Sequence, residues 1–142
     1  MNKKIMVCLD GSKNSLRGLQ TAITIAKQSD DVIVGVHSDV SFSAFSAVRA
    51  PILPEKKWKK ESRKLIQVAK KKVETKNIEF QGVVIGGHSS GIDLTTFANN
   101  PKNKIEQIII GSRGMGFPKE IFFGSTSNFV LHKAKAPVTI VK

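Results

Sequence analysis

The stretch GSRGMGFPKEIFFGSTSN, residues 111–128, joins an apolar segment to a run of hydroxyl residues through four glycines. The apolar segment before it predicts a buried strand, and the residues after Gly124 predict a helix. Gly111 and Gly114 would let the backbone turn sharply and approach a ligand closely. The first turn of a helix offers free N–H groups and a partial positive charge, which attract anions. The stretch therefore predicts a strand, a glycine-rich loop and a helix whose N-terminus can bind an anion.

Along the rest of the chain, segments that suit buried strands alternate with segments that suit helices, which is typical of a parallel sheet covered on both faces. Strands are predicted over residues 4–10, 31–37, 79–85, 105–110 and 137–141. Helices are predicted from a cap at Ser12 to residue 28, and over residues 55–75, 90–100 and 125–133. Residues 1–142 are expected to form a single doubly wound α/β domain with right-handed crossovers, a Rossmann-like fold.

Amphipathic spacing predicts which side chains of the helices are buried. In the first helix the apolar face would consist of Leu16, Leu19, Ile23 and Ala26. In the second it would consist of Trp58, Ser62, Leu65, Ala69 and Val73. The third helix is expected to begin at Ser90, with Asp93 placed for a capping box.

The composition, 40% hydrophobic and 24% charged, is typical of a soluble globular protein. Its apolar runs are too short for a membrane-spanning helix, and the start MNKKIMVCLD lacks the features of a signal peptide. The single cysteine, Cys8, lies in the first predicted strand, where a buried structural thiol is expected. We therefore expect a cytoplasmic protein that does not contact a membrane.

The formal net charge is +12, and residues 55–76 hold ten basic and three acidic residues, a local charge of +7. Such a segment attracts polyanions. However, the chain has no tyrosine and Trp58 is expected on the apolar face, whereas proteins that bind single strands usually interleave aromatic residues. A solvated helix face is the favoured interpretation, with nucleic-acid binding as the alternative.

The glycine stretch does not match the common phosphate-binding motifs. No Gly-Lys-Ser/Thr follows a four-residue gap, so it is not a Walker A loop, and no GxGxxG follows the first strand. Arg113 and Lys119 add positive charge nearby, and Ser125 and Thr126 add hydroxyl donors. From the residues alone, a phosphate site and an ordinary glycine loop followed by a serine cap are both open interpretations.

The spacing Gly111-x2-Gly114-x9-Gly124-Ser125 resembles G-x2-G-x9-G-[ST], the nucleotide-binding pattern of the universal stress protein family. Four further segments are similar to that family in the right order, namely CLDGSKNS, VIVGVHSD, VVIGGHSSGI and KAPVTIVK. The chain departs from the family at His88, where proline is frequent, and at Glu106, where aspartate is frequent. The resemblance implies a parallel sheet of order 3-2-1-4-5, and commonly a homodimer formed through strand 5, residues 137–142.

Because the glycine pattern is intact, the resemblance also implies binding of ATP, with Mg²⁺ carried on the phosphates. It implies that Asp10 and Gly111 contact the ribose, and that backbone at Ser38 meets the adenine edge. For Asp10, an ordinary Asp-Gly-Ser turn is the alternative role. The other residues expected to bind the nucleotide are Gly11, Ser12, Arg113, Gly114, Gly124, Ser125 and Thr126.

The chain shows no Ser-His-Asp or Cys-His arrangement and no histidine spacing typical of a metal site. No general base is evident for attack on a γ-phosphate, so ATP hydrolysis is expected to be slow at most. The sequence thus predicts an ATP-binding stress-response protein that acts as a nucleotide-dependent sensor or switch. The alternatives are a weak ATPase and a polyanion-binding module that uses residues 55–76.

Overall fold

The computed structural model describes residues 2–41, 50–87, 89–113 and 124–142. Strands and helices alternate along these residues, and short 3₁₀ turns at Glu55–Lys57 and Pro101–Asn103 precede the second helix and the fourth strand. The strands and helices are β1 (Lys4–Cys8), α1 (Lys13–Ser29), β2 (Val32–Asp39), α2 (Lys60–Glu74), β3 (Phe80–Gly86), α3 (Ser90–Asn99), β4 (Ile105–Gly111), α4 (Ser125–Lys133) and β5 (Val138–Val141).

The five strands form one parallel sheet in the order β3-β2-β1-β4-β5, so the predicted fold class and strand order are confirmed. The chain winds outward from β1 through β2 to β3, and then returns to β4 beside β1. Because the winding reverses between β1 and β4, the connections that leave these two strands diverge and open a crevice at their carboxyl ends.

Both faces of the central strands are buried because helices cover both sides of the sheet. Successive side chains of β1 alternate between the two faces. Ile5 and Val7 pack into a core with residues of α1 and α2, whereas Met6 and Cys8 pack into a core with residues of α3 and α4. Within the described ranges, no helix combines the length and the apolar character needed to cross a membrane.

The buried face of α1 differs from the prediction at its first turn. Leu19, Ile23 and Ala26 are buried as expected, and Ala22 joins them. Leu16 is exposed, so the prediction that it belongs to the core is wrong. On a helix of 3.6 residues per turn, Leu16 falls at the margin of the arc centred on Leu19, Ala22 and Ala26.

The helix predicted over residues 55–75 begins later, at Lys60. The 3₁₀ turn ends in extended backbone at Trp58 and Lys59, and the Trp58 indole N–H donates to the Leu53 carbonyl (3.0 Å). This bond holds the indole against the preceding segment, outside the helix. The predicted start of the helix is therefore wrong, and Trp58 precedes α2 instead of lying on it. Its half-buried ring nevertheless packs against the core, as predicted.

The rest of the apolar face of α2 agrees with the prediction in part. Ser62, Ala69 and Val73 are buried, whereas Leu65 is only half-buried. Ile66, which the spacing did not select, is buried against the sheet instead.

The predicted capping box of α3 does not form. The cap is Ser89, whose Oγ accepts from the Ile92 N–H (3.4 Å), so Asp93 lies one position beyond the place that a capping box requires. The Asp93 side chain is fully buried, and its Oδ2 accepts from the Ser38 hydroxyl (3.0 Å). Asp93 thus ties α3 to the end of β2.

Candidate functional site

A cleft of about 240 Å³ opens at the carboxyl ends of β1 and β4, where the winding of the sheet reverses. Its walls come from the ends of β1, β2 and β4 and from the first turns of α1, α3 and α4. The predicted binding residues that line it are Asp10, Ser12, Ser38, Gly111, Arg113, Gly124 and Thr126. Gly11 and Ser125 are neighbours of lining residues without lining the cleft themselves, and Gly114 and Lys119 lie outside the described residues.

The turn after β1 places Asp10 at the cleft. Asp10 Oδ1 accepts from the Ser12 N–H (2.8 Å), and Gly11 between them has φ +83°, a region that favours glycine. Ser12 then caps α1 by accepting from the Ser15 N–H (3.1 Å). A carboxylate has capacity for several hydrogen bonds, so the turn leaves Asp10 Oδ2 able to accept from a ligand. The turn role and the ribose role predicted for Asp10 are therefore compatible.

Backbone alternation aims Ser38 at the cleft. The Val32 N–H donates to Lys3 and the Leu9 N–H donates to Val36, both at 2.8 Å, so the even-numbered residues of β2 face β1. In the register of the sheet, the residue opposite Ser38 comes two residues after Cys8, but β1 ends at Cys8. By this alternation the N–H and the carbonyl of Ser38 lie on the side of β2 that faces β1, next to the end of β1.

His37 adds a ring to the same wall. Its Nδ1 lies 2.8 Å from the Leu9 carbonyl, and because a carbonyl can only accept, Nδ1 carries the proton. The ring is thereby fixed across the gap between β2 and the end of β1. Its partner lies 28 residues away in the sequence, so only the structure shows this contact.

The residues after β4 are held close to the start of α4. The Ser112 carbonyl accepts from the Gly124 N–H (2.7 Å) and from the buried Ser127 hydroxyl (2.8 Å). The Ser112 hydroxyl accepts from the Asn14 side-chain amide (3.1 Å), which joins this segment to α1. Three chain segments thus share one buried polar cluster, of which Ser127 lines the cleft.

Gly111 has a packing role that does not depend on a ligand. A Cβ built at this position would lie 2.8 Å from the Asn14 Cβ and 2.9 Å from the Asn14 carbonyl carbon. Only glycine lets β4 approach α1 this closely, and the close approach in turn brings Asp10 and Arg113 to the same cleft.

The N-terminus of α4 faces the cleft, and no side chain of the described residues caps it. Its N-cap is Gly124, which has extended backbone and makes no side-chain capping bond. The N–H groups of the first turn, from Ser125 to Ser127, therefore keep capacity for an external acceptor. Half-buried Thr126 and half-buried Arg113 add a hydroxyl and a positive charge to the same end of the cleft.

The floor of the cleft contains Cys8, whose pKa is raised to about 12 by burial and, to a smaller extent, by the charge of Asp10. The thiol is thus protonated at neutral pH and is not a nucleophile. Among the described residues, no group of three His, Cys, Asp or Glu side chains is placed to hold a metal ion.

Sequence reasoning did not assign Ser90, Leu94 and Ile110 to the site, although all three line the cleft. Ser90 and Leu94 come from α3, which follows the glycines at the end of β3. Because every strand of a parallel sheet ends at the same edge, the start of α3 could have been expected there.

The structure defines a doubly wound α/β protein with a cleft at its switch point. The model of the universal stress protein family matches residues 1–142. The universal stress protein YxiE of Bacillus subtilis (strain 168) is 29% identical, over 100% of both chains. A universal stress protein of Methanocaldococcus jannaschii is 30% identical, over 99% of this chain and 82% of that protein. The chain belongs to the universal stress protein family.

Solved structures of similar fold agree with this assignment. The universal stress protein UspA from Lactobacillus plantarum superposes with a TM-score of 0.79 at 15% identity, covering 99% of this chain and 97% of that one. Three other similar structures contain nucleotides. A universal stress protein with cAMP has a TM-score of 0.72 at 18% identity. One from Arabidopsis thaliana with AMP has a TM-score of 0.68 at 17% identity, and one from Archaeoglobus fulgidus with dAMP has a TM-score of 0.69 at 20% identity. Each covers at least 99% of this chain and at least 91% of the solved chain. At these identities the likeness establishes the fold.

Proposed function

We propose that this protein binds an adenine nucleotide, with ATP as the expected ligand, in the cleft between β1 and β4, and acts as a nucleotide-dependent sensor or switch. The observation that carries the proposal is the N-terminus of α4, which no described side chain caps and which opens onto the same cleft as Asp10 and Ser38. Family members of similar fold that were solved with cAMP, AMP or dAMP support an adenine nucleotide as the ligand class.

In this proposal each wall of the cleft binds one part of the nucleotide. Asp10 accepts from the ribose hydroxyls, beside the backbone of Gly111. The N–H and carbonyl of Ser38 pair with the adenine edge, which offers an acceptor and a donor in turn. The phosphates lie at the first turn of α4, at Gly124, Ser125 and Thr126, where the helix dipole and free N–H groups favour negative charge.

The proposed set of nucleotide-binding residues is completed by the turn before α1, which contains Gly11 and Ser12, and by the start of the glycine loop, which contains Arg113 and Gly114. Mg²⁺ would be held mainly by the phosphates, with the hydroxyl of Thr126 or Ser125 as an added oxygen ligand, the type that this ion prefers. When bound, the ion would neutralise phosphate charge. We expect hydrolysis to be slow at most, because the carboxylate that lines the cleft among the described residues, Asp10, is assigned to the ribose.

Calorimetric titration with Mg-ATP tests the proposal. Asp10→Asn should weaken binding by roughly ten- to a hundredfold, since a charge-assisted hydrogen bond is lost. Asp30→Asn is the matched control, because it makes the same charge change at the exposed C-terminal end of α1, away from the cleft. Asparagine tolerates the positive φ of 58° at this position.

Gly124→Val places a side chain at the proposed phosphate position, and since Gly124 has φ −73° the backbone accommodates it. This variant should not bind Mg-ATP. Undiminished binding by Gly124→Val, or no binding of Mg-ATP, ADP or AMP by the wild type, would contradict the proposal. An ADP-release assay on the same samples separates a binding protein from a slow ATPase.

The proposal includes a homodimer formed along residues 137–142. β5 is an edge strand of the sheet, and all four of its residues are only half-buried by this chain. An apolar edge with unpaired backbone groups favours pairing with a second chain. We place the protein in the cytoplasm, as the composition and the single buried thiol suggest.

Residues 55–76 support a second candidate, polyanion binding. Every lysine of this segment is exposed, whereas half-buried Arg63 pairs with Glu55 (3.2 Å) and lies 5.7 Å from the centre of the Trp58 ring. A solvated face is still favoured over a binding face. DNA binding that falls steeply between about 50 and 200 mM salt, and that Gly124→Val leaves unchanged, would favour the second candidate.

A further inference from the structure

The buried pair of Ser38 and Asp93 fixes the hydrogen-bonding character of the proposed adenine wall. Asp93 is fully buried in the first turn of α3, where the partial positive charge of the helix stabilises a carboxylate. The Ser38 hydroxyl donates to Asp93 Oδ2 (3.0 Å), while Ser38 itself is half-buried and lines the cleft.

A hydroxyl has one proton and two lone pairs. A carboxylate only accepts, so the bond to Asp93 uses the single proton of Ser38. Toward the cleft, the Ser38 Oγ can therefore act only as an acceptor. A serine without such a partner could rotate to donate or to accept, whereas this one is committed to a single role.

Asp93 is held in place by packing on its other side. A Cβ built at Gly87 would lie 2.5 Å from Asp93 Oδ1, and Gly87 has a φ of +145°. Glycine at this position allows the carboxylate to reach the end of β2. The orientation of Ser38 is thus set by Asp93 of α3 and by Gly87, directly after β3.

We propose that Ser38 is a specificity-determining residue that selects nucleotides carrying an amino group at purine position 6, and that Asp93 is its positioning residue. The inference rests on the proposed nucleotide function and adds a side-chain contact to the backbone contacts of Ser38. The 6-amino group has two hydrogens, so it donates to the Ser38 carbonyl with one and to the Ser38 Oγ with the other. A purine with oxygen at position 6 would place an acceptor against the Ser38 carbonyl and the Ser38 Oγ, which are both acceptors.

The test compares ATP with purine riboside 5′-triphosphate, which lacks only the 6-amino group, by calorimetry with Mg²⁺ present. The ratio of the two affinities is measured for the wild type, Ser38→Ala and Ser38→Thr. Ser38→Ala should lower the preference for ATP roughly five- to tenfold, the effect of one hydrogen bond. Ser38→Thr keeps the hydroxyl and should keep the preference.

Ser41→Ala is the matched control, because Ser41 also donates to a carboxylate, Asp39 Oδ1 (2.5 Å), but does not line the cleft. A ratio that is equal in Ser38→Ala and the wild type, or that falls equally in Ser38→Thr and Ser38→Ala, would overturn the assignment and leave the nucleotide proposal intact. A wild-type protein that binds neither triphosphate would overturn both. Because each variant is compared with itself on two ligands, a general loss of stability does not change the ratio.

Discussion

Gly111→Ala should destabilise the protein through the contact between β4 and α1. The new Cβ would lie 2.8 Å from the Asn14 Cβ and 2.9 Å from the Asn14 carbonyl carbon, and the second neighbour is backbone that cannot rotate away. Relief requires β4 and α1 to separate by several tenths of an ångström in a core that is close-packed. Overpacking of this kind costs about 1–3 kcal/mol of unfolding free energy, or roughly 3–12 °C in melting temperature.

Urea unfolding followed by circular dichroism measures the difference, and Gly18→Ala provides the matched control. Gly18 lies in α1 against the same strand, but its Cβ would meet Ile109 Cγ2 at 3.5 Å, an ordinary contact. Because alanine also favours the helix, Gly18→Ala should stabilise the protein by about 0.5–1 kcal/mol. If Gly111→Ala unfolds at the same urea concentration as the wild type, the close approach of β4 to α1 does not require glycine.

Three further predictions concern Cys8, Trp58 and β5. The pKa of the Cys8 thiol is raised from 9.0 to about 12, so as the pH rises the thiol ionises in the unfolded protein before it ionises in the folded protein. The contribution of the buried, neutral thiol to the unfolding free energy is therefore complete below pH 9 and is lost toward pH 12. Cys8→Ala should remove that part of the pH dependence in urea unfolding. Equal pH profiles for both proteins would contradict this. Trp58→Phe removes the indole bond to the Leu53 carbonyl and should cost about 1 kcal/mol in the same assay, and no loss of stability would mean that the bond contributes nothing. Ile140→Lys, on the half-buried edge strand β5, should shift sedimentation from a dimer to a monomer, and circular dichroism checks that the variant is folded, because Ile140 also packs against the core. A wild-type monomer would refute dimerisation through this edge.

The architecture of the sheet could be predicted because its signals are local. Short apolar segments bounded by turn residues indicate buried strands, and their alternation with amphipathic segments indicates parallel pairing. Strand order needed the resemblance to a family, since pairing between distant segments leaves no mark in local periodicity. The errors arose where tertiary contacts outweighed spacing: Trp58 follows helical spacing but bonds to Leu53 instead, and Leu16 lies at the margin of a face whose width the sheet sets.

The positions of the proposed site residues after β1, β2 and β4 were likewise evident from the sequence, because glycines, hydroxyl residues and an aspartate interrupt the apolar pattern there. Their roles as ligands remain predictions. The sequence could not indicate that Ser38 donates to Asp93, 55 residues away, or that Ser112 accepts from Asn14, 98 residues away. The direction of a hydrogen bond depends on which atoms the fold brings within about 3 Å of each other. The sequence by itself therefore determined which elements form and which polar residues end them, and the tertiary structure alone decided how those residues are paired, and so which of their donors and acceptors remain for a ligand.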